Sequence, residues 1–180
     1  MDDTFHIQWH ITNFCNLRCK HCYQNDFIDK ENIPFEYFKK TFENIEDFLK
    51  EKNKKLVIDL TGGEIFLYPE WKKVLEMVSL SKFVKKIGII TNGFLLNSQT
   101  IKYLMNFPQI EIKISTEGIN EEIYEFYRGK GNFEKFINIL EKMKENNFDK
   151  TLMWTITETN SYQIDEFFDF CKKYNFSKFI

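Results

Sequence analysis

Three cysteines crowd into the eight residues Cys15-Asn16-Leu17-Arg18-Cys19-Lys20-His21-Cys22, a C-x3-C-x2-C run, while the fourth, Cys171, stands far down the chain. A disulfide framework spreads its half-cystines to close long loops, so this crowding speaks for metal rather than for cross-links. Zinc takes four tetrahedral sulfur or nitrogen ligands, and the three thiolates with His21 or His10 would make such a set. His21 and Cys22 are adjacent, however, and neighbouring residues seldom both reach one ion. A short loop around an iron-sulfur cube offers one thiolate to each of three irons and leaves the fourth iron open. Cys171, between Phe170 and Lys172 in a stretch of helical period, reads as a packing residue.

Such a loop must be held by regular elements. Phe5 to Ile11, Lys55 to Thr61, Lys85 to Thr91, Gln109 to Thr116 and Thr151 to Thr157 are rich in Ile, Val, Thr and aromatics and read as strands. Between them Pro34 to Lys52, Pro69 to Ser81, Asn97 to Phe107, Asn132 to Asn147 and Asn160 to Tyr174 carry helical period. Pro34 and Pro69 suit a first helical turn, and Asn97, Asn132 and Asn160 suit N-caps. Alternating strands and helices predict an α/β fold of parallel strands with right-handed crossovers, as part of a barrel or as an open sheet. A sixth strand begins at Lys178-Phe179-Ile180. Ligands of parallel sheets gather at the carboxyl ends of the strands, where the cysteine loop, Gly62-Gly63-Glu64, Thr91-Asn92-Gly93, Ser115 and Thr157-Glu158 all fall. Phe35, Phe38, Phe42, Ile45 and Phe48 lie at helical spacing and are assigned to packing.

With 180 residues, 43% hydrophobic and 29% charged, the chain supports one core, read as a single domain over 1–180. A net charge of -2 and a pI near 6.0 give no ground for a nucleic-acid partner. No apolar run reaches the roughly 18 residues of a membrane span. With the acidic start Met1-Asp2-Asp3, this predicts no signal peptide, no membrane and a cytoplasmic protein. Alanine is absent and lysine far outnumbers the two arginines, Arg18 and Arg128, a bias of AT-rich coding that singles those two out.

The cysteine run resembles that of the radical S-adenosylmethionine (SAM) superfamily. The resemblance implies a partial (β/α) barrel in which Cys15, Cys19 and Cys22 hold a 4Fe-4S cluster. The open iron binds the amino and carboxylate groups of SAM, and reduction releases a 5'-deoxyadenosyl radical that abstracts a substrate hydrogen. It implies that His21 lies beside the adenine. Gly62, Gly63 and Glu64 resemble the family's GGE motif for the methionine amino group. Asn92, in Thr91-Asn92-Gly93, falls near the cofactor, and a turn is the plain alternative there. Ser115 in Ser115-Thr116-Glu117-Gly118 resembles a serine that bonds ribose or carboxylate. Arg128, in Tyr127-Arg128-Gly129 ahead of Gly131-Asn132-Phe133, resembles an arginine that pairs with the methionine carboxylate in peptide- and protein-modifying branches; only a guanidinium forks a carboxylate in this way.

The chain departs from the family pattern in lacking a complete sixth unit and a cysteine-rich extension for auxiliary clusters. It is therefore expected to be an incomplete core whose open sheet edge favours self-association. Three readings stand: a peptide or protein maturase served by a reductant such as flavodoxin or ferredoxin, a glycyl-radical activating enzyme, and a non-catalytic iron-sulfur and SAM-binding module. The wording of the cysteine loop favours the first.

Overall fold

The computed structural model describes residues 3–25, 27, 32–146 and 148–180. Six strands form one parallel sheet in chain order: β1 (Thr4–His10), β2 (Lys55–Thr61), β3 (Val84–Thr91), β4 (Ile110–Thr116), β5 (Asp149–Trp154) and β6 (Lys178–Phe179). The crossovers carry α1 (Phe35–Glu51), α2 (Trp71–Ser79), α3 (Ser98–Leu104), α4 (Glu121–Arg128), α5 (Phe133–Lys144) and α6 (Ile164–Lys173). Neighbours that follow chain order with a helix in each crossover make the open, partial form of a (β/α) barrel. β6 is short, pairing Lys178 with Thr151 and Phe179 with Leu152.

Side chains alternate along a strand, so each strand divides between two faces. Ile58, Leu60, Ile87, Ile89, Ile112, Ile114 and Leu152 are buried against the helices, with Phe38 and Phe42 of α1 and Phe136 and Leu140 of α5 in the same core. A fully buried side chain of this size stabilises the fold by roughly 1.5–3 kcal/mol. On the other face Asp59, Glu111 and Lys113 are charged yet buried: Asp59 pairs with Lys113 at 2.7 Å, and Glu111 lies 3.2 Å from the half-buried Lys86 and from the exposed Lys178. Asp59 neighbours Gly88, which neighbours Glu111, so the charges share the face away from the helices.

Several element ends differ from expectation. Pro34 caps α1 rather than entering it, and α2 starts at Trp71, after a 3-10 turn at Ile65–Leu67. Asn97 does cap α3, accepting from Thr100 N at 2.9 Å. Asn132 makes no cap bond, donating instead to Arg128 O at 2.8 Å. Asn160 stands at the N-cap of a 3-10 turn, Ser161–Gln163, but makes no side-chain cap bond. It is buried and staples the loop after β5, donating to Thr155 O at 2.8 Å and accepting from Thr157 N at 2.6 Å. A helix the periodicity reading omitted, α4, is capped by Asn120 and closed by Gly129, whose φ of 94° favours glycine. Phe48 is 41% exposed, so the α1 stripe is buried only in part. Met1, Asp2 and the expected helix end at Asn147 lie outside the described residues.

A Cβ on Gly88 would strike Asp59 Oδ1 and come within 2.9 Å of Lys113 Cε. Gly88→Ala is therefore expected to destabilise the fold by about 3 kcal/mol, the scale of disrupting a buried ion pair. Urea unfolding checks this; a loss below about 0.5 kcal/mol, the range of a neutral surface change, would show that the pair yields freely.

Candidate metal and cofactor site

The cysteine loop leaves the carboxyl end of β1 and is sewn to the end of β2. Ile11 N donates to Thr61 O at 2.9 Å, Gly63 N to Thr12 O at 2.7 Å and Glu64 N to Phe14 O at 2.8 Å. Glycine is needed here for the approach of the loop itself. A Cβ on Gly63 would lie 2.5 Å from Phe14 O and 2.8 Å from Cys15 Cβ, and one on Gly62 would meet Thr12 O. Within the loop, Arg18 Nη1 donates to the carbonyls of Cys15 and Leu17 at 2.8 Å, and its guanidinium lies 4.1 Å from the Phe27 ring centre. Cys22 N donates to Cys19 O at 3.0 Å, and Lys20 N to Tyr127 O of α4 at 2.9 Å.

A cleft of about 390 Å³ opens at the carboxyl ends of the strands. Cys15, Cys19, Cys22, His21, Gly62, Gly63, Asn92, Ser115 and Arg128 all line it. The three thiols are free and half-buried. Burial pushes Cys15 up and Cys19 up to about 11. A larger groove of about 850 Å³ runs along the outside of α4, and no cysteine lines it.

Glu64 is not in the cleft wall. It is fully buried, accepting from Thr91 Oγ1 at 2.7 Å, Asn92 N at 2.9 Å and Phe66 N at 3.3 Å. Burial outweighs these donors and holds its carboxyl above the usual range. Asn92 in turn donates to Asn16 Oδ1 at 2.8 Å, so the end of β3 props the cysteine loop. Thr157 does not line the cleft as the strand reading placed it; its hydroxyl bonds Tyr127 OH at 2.7 Å, and Thr155 lines the cleft instead. Cys171 is buried in α6, as a packing residue would be.

Arg128 does fork a carboxylate, and it belongs to this chain. Nε and Nη2 both donate to Glu117, the latter at 2.7 Å, and both residues are buried. His21 Nε2 lies 3.2 Å from the same carboxylate, and its ring meets Tyr127 edge-on at 5.5 Å. Burial alone would raise Glu117, but His21 and Arg128 together hold it below the carboxylate range. Burial would likewise lower Arg128, and Glu117 holds it above its ordinary value. Sequence reasoning passed over Glu117, although it stands two residues after Ser115 at the end of β4, where an acid facing the cysteine loop is a readable signal.

A model of the radical SAM superfamily matches residues 9–171. The chain belongs to the radical SAM superfamily. That family works with a 4Fe-4S cluster and SAM, and the donors here suit such a cluster. Three free thiols, those of Cys15, Cys19 and Cys22, line one cleft, and a cube asks one thiolate for each of three irons. Among relatives of this radical SAM chain, the antilisterial bacteriocin subtilosin biosynthesis protein AlbA of Bacillus subtilis is 29% identical over 164 residues, 89% of this chain and 35% of that protein. The mycofactocin maturase MftC of Mycolicibacterium smegmatis is 25% identical over 175 residues, 97% of this chain and 43% of that protein. Streptococcus suis SuiB, in the crystal structure with precursor peptide SuiA, shares the fold at TM-score 0.79 and 21% identity, over 97% of this chain and 38% of that one. The chain spans well under half the length of these relatives. Among the described residues no helix is long and apolar enough to cross a membrane.

Gly63→Ala is expected to push Phe14 and Cys15 off β2. Iron and sulfide assays after anaerobic reconstitution should find most chains without a cluster, whereas Cys171→Ala should load normally. Full loading of Gly63→Ala would show that the close approach does not position Cys15.

Proposed function

We propose that this chain is the catalytic core, over 1–180, of an enzyme that modifies a peptide or protein by hydrogen abstraction. The observation that supports this is the convergence of three free thiols, a glycine pair, Ser115 and Arg128 on one cleft at the carboxyl ends of the strands. With a 4Fe-4S cluster on Cys15, Cys19 and Cys22 and SAM on its open iron, one-electron reduction supplies a 5'-deoxyadenosyl radical. The chain's own residues bind and orient. His21, held by Glu117, stands beside the adenine; the backbone at Gly62 and Gly63 accepts from the methionine amino group. Ser115 bonds the ribose or the carboxylate. Arg128 has donors beyond the two spent on Glu117, and those reach the carboxylate. Glu64 acts from beneath, fixing the ends of β2 and β3, and Asn92 supports the loop. The lining keeps water from the reacting centre.

Peptide-directed relatives favour maturation over activation of a glycyl-radical enzyme. The electron donor is a flavodoxin or ferredoxin, and so labile a cluster places the work in the reducing cytoplasm. The exposed apolar side chains Ile156, Phe168 and Phe179 favour self-association, which sedimentation would register as mass rising with concentration.

Anaerobically reconstituted protein should bind about four iron and four sulfide, and lose them when Cys15, Cys19 or Cys22 becomes Ala. Stoichiometric zinc without iron uptake would overturn the assignment. SAM should change the electron paramagnetic resonance signal of the reduced cluster, and Arg128→Lys should weaken that binding by about 1.5–3 kcal/mol. Identical titrations would remove Arg128 from the cofactor site. Cluster and SAM binding without 5'-deoxyadenosine under dithionite would leave a binding module in place of an enzyme.

A further inference from the structure

The groove of about 850 Å³ along α4 has no part in the site described above, yet the cysteine loop borders both. Arg18 and Lys20 line the groove, while Leu17, Cys19, His21 and Cys22 line the cleft. The loop therefore shows its cations to one side and its thiols to the other, and Cys19 stands between the two cations in sequence. The loop is fastened here by Lys20 N, which donates to Tyr127 O of α4 at 2.9 Å.

Charge is sorted along the groove. Lys130, just past the C-terminal end of α4, joins Arg18 and Lys20 in its wall, and all three are exposed. Arg18 donates to backbone carbonyls and Lys20 Nζ lies 3.5 Å from the Phe126 ring centre, so these charges are held in place without being neutralised. Glu121 and Glu122 occupy the first turn of α4, about two turns from Lys130. Between them and the loop, one oxygen of Glu125 accepts from Phe133 N at 3.2 Å. Phe126 is 47% exposed and gives the groove an apolar surface beside the cations.

We propose that this groove docks the electron carrier, a small acidic one-electron carrier protein that sets its negative rim on Arg18, Lys20 and Lys130 and an apolar contact on Phe126. The inference rests on the reading of Cys15, Cys19 and Cys22 as cluster ligands. Electron transfer slows steeply with distance, and the groove side of the loop brings a carrier up to the cysteines without entering the cleft. Opposite charges speed the encounter, while Glu121 and Glu122 repel an acidic partner from the far end, so the carrier is turned toward the loop. One electron leaves the carrier and enters the cluster; no bond forms or breaks in the groove. Redox encounters are small and transient, and an aromatic side chain among cations suits such a contact.

Lys20→Glu combined with Lys130→Glu in the full chain tests this, with an acidic flavodoxin as the probe. In the loaded protein, reduced flavodoxin at low salt should reduce the double variant about tenfold more slowly than the parent. Dithionite, a small reductant that needs no docking, should reduce both at the same rate. Added salt should slow the parent toward the variant. Titrated without a cluster, the parent should bind oxidised flavodoxin about tenfold more tightly than the variant. Equal rates with flavodoxin overturn the proposal, and so does an equal slowing with dithionite, which would mark the lysines as structural. A parent that loads no iron ends the reading of the cysteines, whereas cluster-free parent and variant that bind flavodoxin alike end the docking proposal, so the two failures are told apart.

Discussion

Glu117 and Arg128 are both buried, and neither charge is tolerable there without the other. Desolvation costs several kcal/mol per ion, and only a close, doubly hydrogen-bonded partner offsets it. Because Glu117 follows β4 and Arg128 ends α4, their fork decides where that helix stops against the sheet. The rest of the site end follows from this. Tyr127, beside Arg128, receives Lys20 of the cysteine loop, His21 reaches Glu117, and the Glu117 carbonyl accepts from Trp154 Nε1 at 3.2 Å and from Asn160 Nδ2 at 2.6 Å. Four segments distant in sequence are thereby tied to one residue.

The opposite end of the same strands solves a different problem. A closed barrel fills its interior with packed side chains, whereas this sheet is open and its inner face carries Asp59, Lys113, Glu111 and Lys86. Such a face is stable only if the charges are mutually satisfied, and they are linked across β2, β3 and β4, with Thr151 Oγ1 adding a bond to Glu111 at 2.7 Å. Gly88 makes the space in which Asp59 and Lys113 meet. The apolar face toward the helices supplies the stabilisation, and the polar face is held by these ion pairs although Asp59, Glu111 and Lys113 are buried.

How far the sequence could be read follows from which interactions are local. Strand runs and the C-x3-C-x2-C spacing are local patterns, so the parallel strands and a cysteine loop at their carboxyl ends were legible from period and spacing, while the partial barrel and the cofactor residues were read from the family resemblance. Helix α4 was missed because its eight residues follow closely on β4, although Ile123, Tyr124 and Tyr127 stand at helical spacing and Asn120 followed by two glutamates is a start signal. Asn160 looked like a cap because a side-chain amide beside a helix usually is one; here distant carbonyls compete for it and win. Glu64 was read as facing the ligand, yet its oxygens turn to Thr91 and Asn92, residues that only the fold brings near. Glu117 carried a signal in its place at the end of β4, but its contacts to His21, Trp154 and Asn160 are made only by the fold.

Composition returns as physics in the two arginines. The chain uses lysine wherever a solvated positive charge suffices, and both of its arginines stand at the cysteine loop. Arg18 spans two carbonyls of the loop from one planar group and lies over Phe27, and Arg128 forks Glu117. The fork on Glu117 needs two donors fixed in one plane, which an ammonium on a flexible stem does not supply, whereas Arg18 meets both carbonyls through the single nitrogen Nη1. The loop between Cys15 and Cys19 is thus clamped from within by Arg18 and braced from behind by the Glu117–Arg128 pair. In a chain so poor in arginine, the planar fork stands at Arg128, where a buried carboxylate is met by two donors at once.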